Sequence, residues 1–430
     1  MNRIRAEIKK LKSSTLARNA GWMFLGQGLG LFSQAVYFIL LARLLGSVEY
    51  GIYAGTFALV SMVGQYSSLG SDTVFLRYVS ADKKKFAAYW GNVLLFIVCL
   101  SVVISFVLRF IGPYVFHRNP AGAAIVFPAA ISICFCTQLS FAAGRVFQAF
   151  ERLRITAMMN LLMNVMRLIT AAIMVATLHH ATARQWVYAS LLVSLLGAII
   201  TVSTVTVKLG WPKFQLYLIR KHAAEGLQYS FSQSTSSAYN DLDKTMLGHY
   251  GMNVANGIYA MAYRVVDIAT IPVFSLRDAA MPKFFTQGAK GVEYASALGR
   301  SLLSKAIWFG LAAAVGMFIL APLIPYVVGH DFAQSVSALR WLCLIPLFRS
   351  IHQMTGSALT GAGLQRYRTT TQCIAAAFNF GLNLWLIPAH GWLGAAWASL
   401  LTDGALGAMN WTVITKLTRA AAKQSVAVEV

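Results

Sequence analysis

Charge is what this chain has least of: only 12% of its 430 residues are Asp, Glu, Lys or Arg, and just 14 of those are acidic. Average soluble domains carry about 25% charged residues, so the composition excludes an acidic disordered protein and argues against an ordinary soluble enzyme. Five cysteines, odd in number and set inside apolar runs, exclude a disulfide framework. Cys134 and Cys136 lack a second pair or a nearby His to complete a metal site, and both suit buried small hydrophobes. The eight histidines show no metal spacing. No glycine-rich lysine loop for ATP is present. Gly26-Gln27-Gly28-Leu29-Gly30 follows no strand, so it fails as a nucleotide loop and suits close helix contact instead. Without a nucleophile–base constellation, neither enzymatic activity nor a cofactor is expected.

Apolar residues are abundant, at 57%, and they fall in runs long enough to cross a bilayer, which takes about 18 or more. Twelve spans are predicted. The first six are 20–41, 52–74, 89–111, 123–147, 155–178 and 186–207. The second six are 226–248, 255–274, 301–328, 334–359, 369–387 and 393–415. The net charge of +22 is then explained by topology. Loops on one side hold 25 Lys and Arg, and those on the other hold only Arg43, Arg109, Arg118 and Arg184. By the positive-inside rule both termini are cytoplasmic. The basic residues are scattered over seven loops without a stripe, so nucleic acid is not an expected partner.

Organisation follows. Residues 1–19 suit a basic interfacial helix, with Ile4, Ile8 and Leu11 on one face, drawn to membrane lipids. An N-terminal six-helix bundle (20–207) and a C-terminal one (225–415) flank a cytoplasmic linker (208–224), and a cytoplasmic tail (416–430) ends the chain. The linker's Trp211, Phe214 and Tyr217 with Lys213, Arg220 and Lys221 suit an interfacial helix. The bundles are internal repeats. Gly51-Ile52-Tyr53-Ala54 recurs as Gly257-Ile258-Tyr259-Ala260. Gly21 and Gly226, Gly144 and Gly356, and Asn164 and Asn379 correspond, as do the Ala-Ser-Leu-Leu runs at 189–192 and 398–401. With six spans each, both repeats enter from the same side and are parallel, an arrangement of alternating-access transporters.

Further basic residues remain within or beside the spans. Arg145, Arg277 and Arg340 are near span ends and can snorkel. The deeper ones lie on polar stripes. Span 5 aligns Thr156, Asn160, Asn164 and Arg167; span 7 aligns Ser230, Ser234, Ser237, Asp241 and Lys244. Span 8 holds Arg264 and Asp267, span 10 Arg349, span 12 Asp403, and span 1 Gln27 and Gln34. Lipid cannot solvate such groups. Asp241–Lys244 and Arg264–Asp267 can be local ion pairs serving packing alone. Arg167 and Arg349 have no opposite charge within a turn of their own helix and are candidates for an anionic ligand. Asp403 can pair across helices or exchange a proton or cation. The deep residues number four basic against three acidic, which leans toward an anionic guest.

The run from Leu41 to Tyr53, reading Leu-Ala-Arg-Leu-Leu-Gly-Ser-Val-Glu-Tyr-Gly-Ile-Tyr, resembles the opening signature of the polysaccharide transport family. Asp243 to Gly248 with Gly257 to Arg264 is similar to its seventh and eighth spans, and Asn379 to Ala396 to its eleventh and twelfth. That family holds the Wzx-type O-antigen and exopolysaccharide flippases within the superfamily of MATE exporters and lipid II flippases. The resemblance implies an all-α, V-shaped, MATE-like polytopic fold, with two parallel six-helix bundles around a central cavity, in a bacterial inner membrane. It implies a polyprenyl-diphosphate-linked oligosaccharide as cargo, with a polysaccharide polymerase and a chain-length regulator as partners. Arg167, Arg349, Arg264 and Lys244 would neutralise the diphosphate, and Asn160 and Asn164 would meet sugar hydroxyls. Asp241, Asp267 and Asp403 would balance the empty cavity or couple it to a cation gradient. A multidrug exporter of the same architecture and a non-transporting scaffold in a glycan-assembly complex are the alternatives.

Overall fold

A computed structural model describes residues 15–428. Most of the expected N-terminal interfacial helix, and the last two residues of the tail, lie outside the described residues, as does the side chain of Gln27. Among the described residues the chain is helical with no strand, and the twelve expected spans fall on helix. Eight stretches are long and apolar enough to cross a membrane. Every pass must satisfy its own backbone in oil, which only a helix does within one segment.

In chain order the helices are α1 (Thr15–Gly64), α2 (Ser71–Ala81), α3 (Phe86–Val115), α4 (Pro120–Ala130), α5 (Gln138–Ala149), α6 (Leu153–Thr177) and α7 (Ala183–Leu209). They continue as α8 (Leu216–His249), α9 (Asn253–Gly288), α10 (Val292–Leu320), α11 (Ile324–Val328), α12 (Ser335–Leu342), α13 (Ile345–Gly361), α14 (Gln365–His390) and α15 (Trp392–Val428). Three passes differ from the expectation. Span 1 runs into span 2 through a sharp kink at Gly46 (φ 67°), and span 2 breaks between α1 and α2, where Leu69 and Gly70 turn left-handed. Span 10 splits into α12 and α13, with Pro346 in the first turn of α13. The linker is not a helix from 208: Gly210 (φ 103°) and Pro212 hold 210–215 out of helical geometry, and helix resumes at Leu216. Within the fourth pass, Ile131–Thr137 is a wider π turn joining α4 to α5, and Thr137 Oγ1 donates back to the Ser132 carbonyl at 2.9 Å.

The chain forms two compact units. Unit 1 comprises 1–45 and 56–234; unit 2 comprises 46–55 and 235–430. Unit 1 centres on Phe75, Phe86, Trp90, Ile97, Val146 and Phe147. The linker is seated on α3: Lys213 N donates to Ala87 O at 2.8 Å and Gln215 N to Asn92 Oδ1 at 3.2 Å. Behind it, Glu225 takes a hydrogen bond from Arg77 at 2.6 Å and a longer one from the Tyr78 hydroxyl at 3.3 Å, with His222 at 3.4 Å. Burial pushes the Glu225 carboxyl up, but Arg77, His222 and Tyr78 outweigh this and hold it below its ordinary value.

Unit 2 explains why the repeated Gly-Ile-Tyr-Ala motif is there twice. The two copies cross with their backbones in contact: a Cβ at Gly51 would collide with the Asn253 carbonyl, and one at Gly257 with that of Ser47. Asn256 Nδ2 donates to Gly51 O and to Lys244 O, both at 2.9 Å, tying 46–55 to α8. Lipid tails are as apolar as Leu, so helices associate in membranes through close packing rather than hydrophobic transfer. The face of α10 against α13 is accordingly small, and Ser350 Oγ donates to Ala306 O at 2.8 Å across it.

Gly257→Ala is expected to lower stability by about 1–3 kcal/mol, the usual cost of overpacking a filled contact, with thermal unfolding in detergent as the readout. Glu225 carries a pH signature. A carboxylate whose folded value is depressed contributes stability above its ordinary pKa and loses it as pH falls through the folded value. The melting temperature of wild type should therefore exceed that of Glu225→Gln at neutral pH, and the gap should close below about pH 4.

Candidate functional site

Four helices of unit 2 bring their polar faces together. On α8, Asn240, Asp241, Asp243 and Lys244 occupy little more than one turn. On α9, Tyr259, Tyr263 and Asp267 are spaced i, i+4, i+8, one stripe of a 3.6-residue helix, with Arg264 beside it. Helix α13 adds Arg349 and His352 at i, i+3, and α15 adds Ser399 and Asp403 at i, i+4.

Arg349 is the hub. It is only 4% exposed. Its guanidinium donates to Asp267 Oδ1 at 3.1 Å, to Asn240 Oδ1 at 3.0 Å and to the Tyr263 hydroxyl at 3.0 Å. Its Nε lies 3.8 Å from Asp403 Oδ2. Lys244, also buried, donates through Nζ to Asp241 at 2.7 Å and to Asn240 O at 2.8 Å. The Tyr263 ring sits between the two cations, 4.3 Å from Lys244 Nζ and 5.4 Å from the Arg349 guanidinium carbon. Such contacts are worth about 0.5–2 kcal/mol, more where water is excluded.

Asp243 is fully buried. It accepts from the Lys244 backbone N–H at 2.7 Å, from Ser399 Oγ at 3.1 Å and from the Tyr259 hydroxyl. Lys244 Nζ is 3.9 Å away, so hydroxyl and amide donors carry most of its solvation. Beside it Asn383 Nδ2 donates to Asn379 Oδ1 at 2.8 Å, and Asn379 Nδ2 to Thr402 Oγ1 at 3.1 Å. Arg264 is looser, 4.0 Å from Asp267, with Tyr50 close to its guanidinium. The side chains of Asp241, Arg264 and Asp267 remain 33%, 31% and 45% exposed, and they form the accessible edge of an otherwise sealed cluster.

Unit 2 thus joins six of the expected residues: Arg349, Lys244, Arg264, Asp241, Asp267 and Asp403. The other three stand on α6 in unit 1. Asn164 is half-buried beside Gly30, Asn160 is exposed, and Arg167 is half-buried with no hydrogen-bond or ion-pair partner among the described residues. Nine residues place Arg167 about half a turn round the helix from Met158, which is 57% exposed on the apolar side of α6. Asp243, Tyr259, Tyr263, His352 and Ser399 escape a search for lone charges. Tyr259 and Tyr263 stood in the stripe leading to Asp267, and Asp243 stood next to Lys244. Asp243 also alters the charge balance. Unit 2 holds three deep cations (Lys244, Arg264, Arg349) against four carboxylates (Asp241, Asp243, Asp267, Asp403). The expected basic surplus is therefore absent there, and with Arg167 the chain balances at four and four.

Residues 16–286, well over half of the chain, match the family described as polysaccharide biosynthesis protein. The chain belongs to that family. Solved relatives show the fold of this polysaccharide biosynthesis protein to be that of MATE and lipid II flippase transporters. A multidrug resistance MATE family transporter of the MOP superfamily, in an inward-facing conformation, superposes with a TM-score of 0.73 at 15% identity, over 91% of this chain and 96% of that one. A lipid II flippase in an inward closed conformation gives 0.71 at 15% identity, over 92% of this chain and 87% of that one. By sequence, an uncharacterized membrane protein of Methanocaldococcus jannaschii is 21% identical, over 86% of this chain and 90% of its own length.

The two arginines have opposite surroundings, so their removal should have opposite consequences. Arg349→Gln strands two carboxylates and is expected to cost about 3–5 kcal/mol, with part of the loss recovered in Arg349→Gln/Asp403→Asn. Arg167→Gln breaks no hydrogen bond or ion pair among the described residues and should not destabilise the fold. Thermal unfolding of the purified variants compares them directly.

Proposed function

We propose that this chain is a flippase that carries a polyprenyl-diphosphate-linked oligosaccharide across the bacterial cytoplasmic membrane by alternating access, for surface polysaccharide such as O-antigen or exopolysaccharide. Family membership and the transporter fold support the reaction class. The observation that carries the reading is Arg167: a guanidinium near the middle of an apolar helix, on the polar side, with no hydrogen-bond or ion-pair partner among the described residues. At membrane depth such a group costs about 2.5–3.5 kcal/mol even on the mildest scales, so an uncommitted arginine there is a functional feature rather than a packing one. Diphosphate is the ligand class it fits, because the planar fork matches phosphate oxygens in paired, charge-assisted hydrogen bonds. Asn160 and Asn164 continue its stripe and offer both donors and acceptors to sugar hydroxyls.

In this reading Arg349 and Lys244 hold the unit 2 scaffold in register, and Arg264 lies with Asp241 and Asp267 on its accessible edge. Asp241, Asp267 and Asp403 balance these charges when no substrate is bound and couple movement to a cation gradient. The basic loops support cytoplasmic termini, and the reading has the polymerase and chain-length regulator as neighbours in the pathway. The surplus carboxylate of unit 2 favours one other reading, a cation-coupled exporter of lipophilic cations.

The test is flipping of a fluorescent polyprenyl-diphosphate sugar in proteoliposomes. Arg167→Gln should slow it about 10- to 100-fold, the equivalent of losing one charged hydrogen bond of about 1.5–3 kcal/mol, at unchanged protein level and melting temperature. Arg167→Lys should retain part of the rate. Wild-type flux in Arg167→Gln would reject the assignment, and transport of a lipophilic cation with none of the lipid would favour the exporter.

A further inference from the structure

We propose that His352 and Asp403 form a proton-binding pair at the base of a cavity between α13 and α15. His352 Nε2 lies 3.5 Å from Asp403 Oδ1 and makes no hydrogen bond, although the residue is only 4% exposed. Asp403 is 3% exposed, and its carboxylate accepts no hydrogen bond among the described residues. Two buried groups of complementary chemistry thus face each other, while the other carboxylate oxygen of Asp403 lies 3.8 Å from Arg349 Nε. Buried polar groups in folded proteins are nearly always partnered, so the unmatched Nε2 of His352 is poised for a proton that the protein itself does not supply. Asp403 also lines an open cavity of about 320 Å³, whose walls are Phe348, Ile351 and Trp411 over a floor of Gly404 and Gly407.

The surrounding charges give the pair its capacity for one proton. On its own helix His352 is followed by Gln353, which takes a hydrogen bond from Arg277 at 3.1 Å, and preceded by Arg349. From α9 come Asp267 and Tyr263, both bound to Arg349. From α8 come Asn240, Lys244 with Asp241, and Tyr239, which lies near Asp403, Arg349 and Arg368 of α14. Helix α10 faces α13 through small residues, Ala306 and Gly310. With His352 neutral, the deep charges of unit 2 are three cations against four carboxylates. One proton on the pair makes them equal.

The step is a plain transfer. A hydronium that reaches the pair gives up its proton, water remains behind, and Nε2–H donates to Asp403 in a charge-assisted hydrogen bond. Asp403 then no longer needs Arg349, whose Nε is already the longest of its contacts at 3.8 Å. Arg349 settles fully on Asp267, Asn240 and Tyr263. Protonation of one pair is thereby transmitted to α8 and α9 through a single side chain.

Any role of the pair in transport rests on the flippase reading, but the proton itself can be measured without transport. Infrared difference spectra of the purified full-length protein in lipid nanodiscs, recorded between about pH 5 and 8 where histidine titrates, in a His222→Gln background that removes the other imidazole–carboxylate pair, should show one imidazole–carboxylate change per molecule. It should vanish in His352→Gln and in the isosteric Asp403→Asn. His352→Gln alone decides if Asp403→Asn does not fold. Persistence of the change in His352→Gln overturns the proposal, as does its absence from that background. The change in that background, with no lipid-linked sugar flipped by wild type, leaves the pair standing and rejects the flippase reading.

Discussion

Hydrocarbon supplies neither hydrogen bonds nor counter-charge, and most of what is unusual in this chain follows from that. A soluble protein can leave an arginine half-solvated at little cost; a membrane helix cannot. Arg349 meets the constraint with three hydrogen bonds to protein, donated to Asp267, Asn240 and Tyr263 within 3.1 Å, and a further carboxylate at 3.8 Å. Asp243 meets it with hydroxyls and a backbone amide rather than a close cation. Replacing a buried ion pair with well-packed apolar residues is often neutral or stabilising, so a charged cluster of this size at membrane depth argues for a job other than holding helices together.

The duplicated scaffold shows which features belong to architecture and which to chemistry. Gly51 and Gly257 stand at equivalent points of the repeat and do the same thing, letting one backbone lie against another. Ser190 and Ser399 are also equivalent, but the first donates to the Val187 carbonyl of its own helix while the second donates to Asp243. Asn164 and Asn379 diverge likewise: one stands beside Gly30 at the edge of an arginine stripe, the other is buried in a chain of amides and hydroxyls. Backbone packing was retained through the duplication and polar chemistry was reassigned.

Much of this could be read beforehand, because in a bilayer the hydrophobic run and the helix are the same object. All twelve spans fell on helix for that reason. The breaks did not announce themselves as strongly. Gly46, Gly70 and Gly210 look like any of the 33 glycines until their positive φ is seen, and the helix expected over the linker stopped at Gly210 and Pro212. Counting lone charges found Arg349 and Arg167 but could not tell them apart. Neither has a partner on its own helix, and whether a partner comes from another helix is a property of packing. Tyrosines and serines were passed over because they carry no charge, although Tyr263 and Ser399 organise the charges that were noticed.

The contrast between those arginines bears on how one chain can handle both an anion and a cation. A binding group must be free to change partners, and a coupling group must be sensitive to the state of its neighbours. Arg167 has no hydrogen-bond or ion-pair partner to give up among the described residues, so an anion binding it in the proposed way would displace none of them. Arg349 has four, and binding anything new there means surrendering charge-assisted bonds worth about 1.5–3 kcal/mol each. Diphosphate cannot easily outbid that set, whereas a change of one charge on Asp403 or Asp267 can redistribute it. An accessible edge made of Asp241, Arg264 and Asp267, backed by a sealed hub, therefore suits relay better than capture, and the free guanidinium on α6 suits capture better than relay.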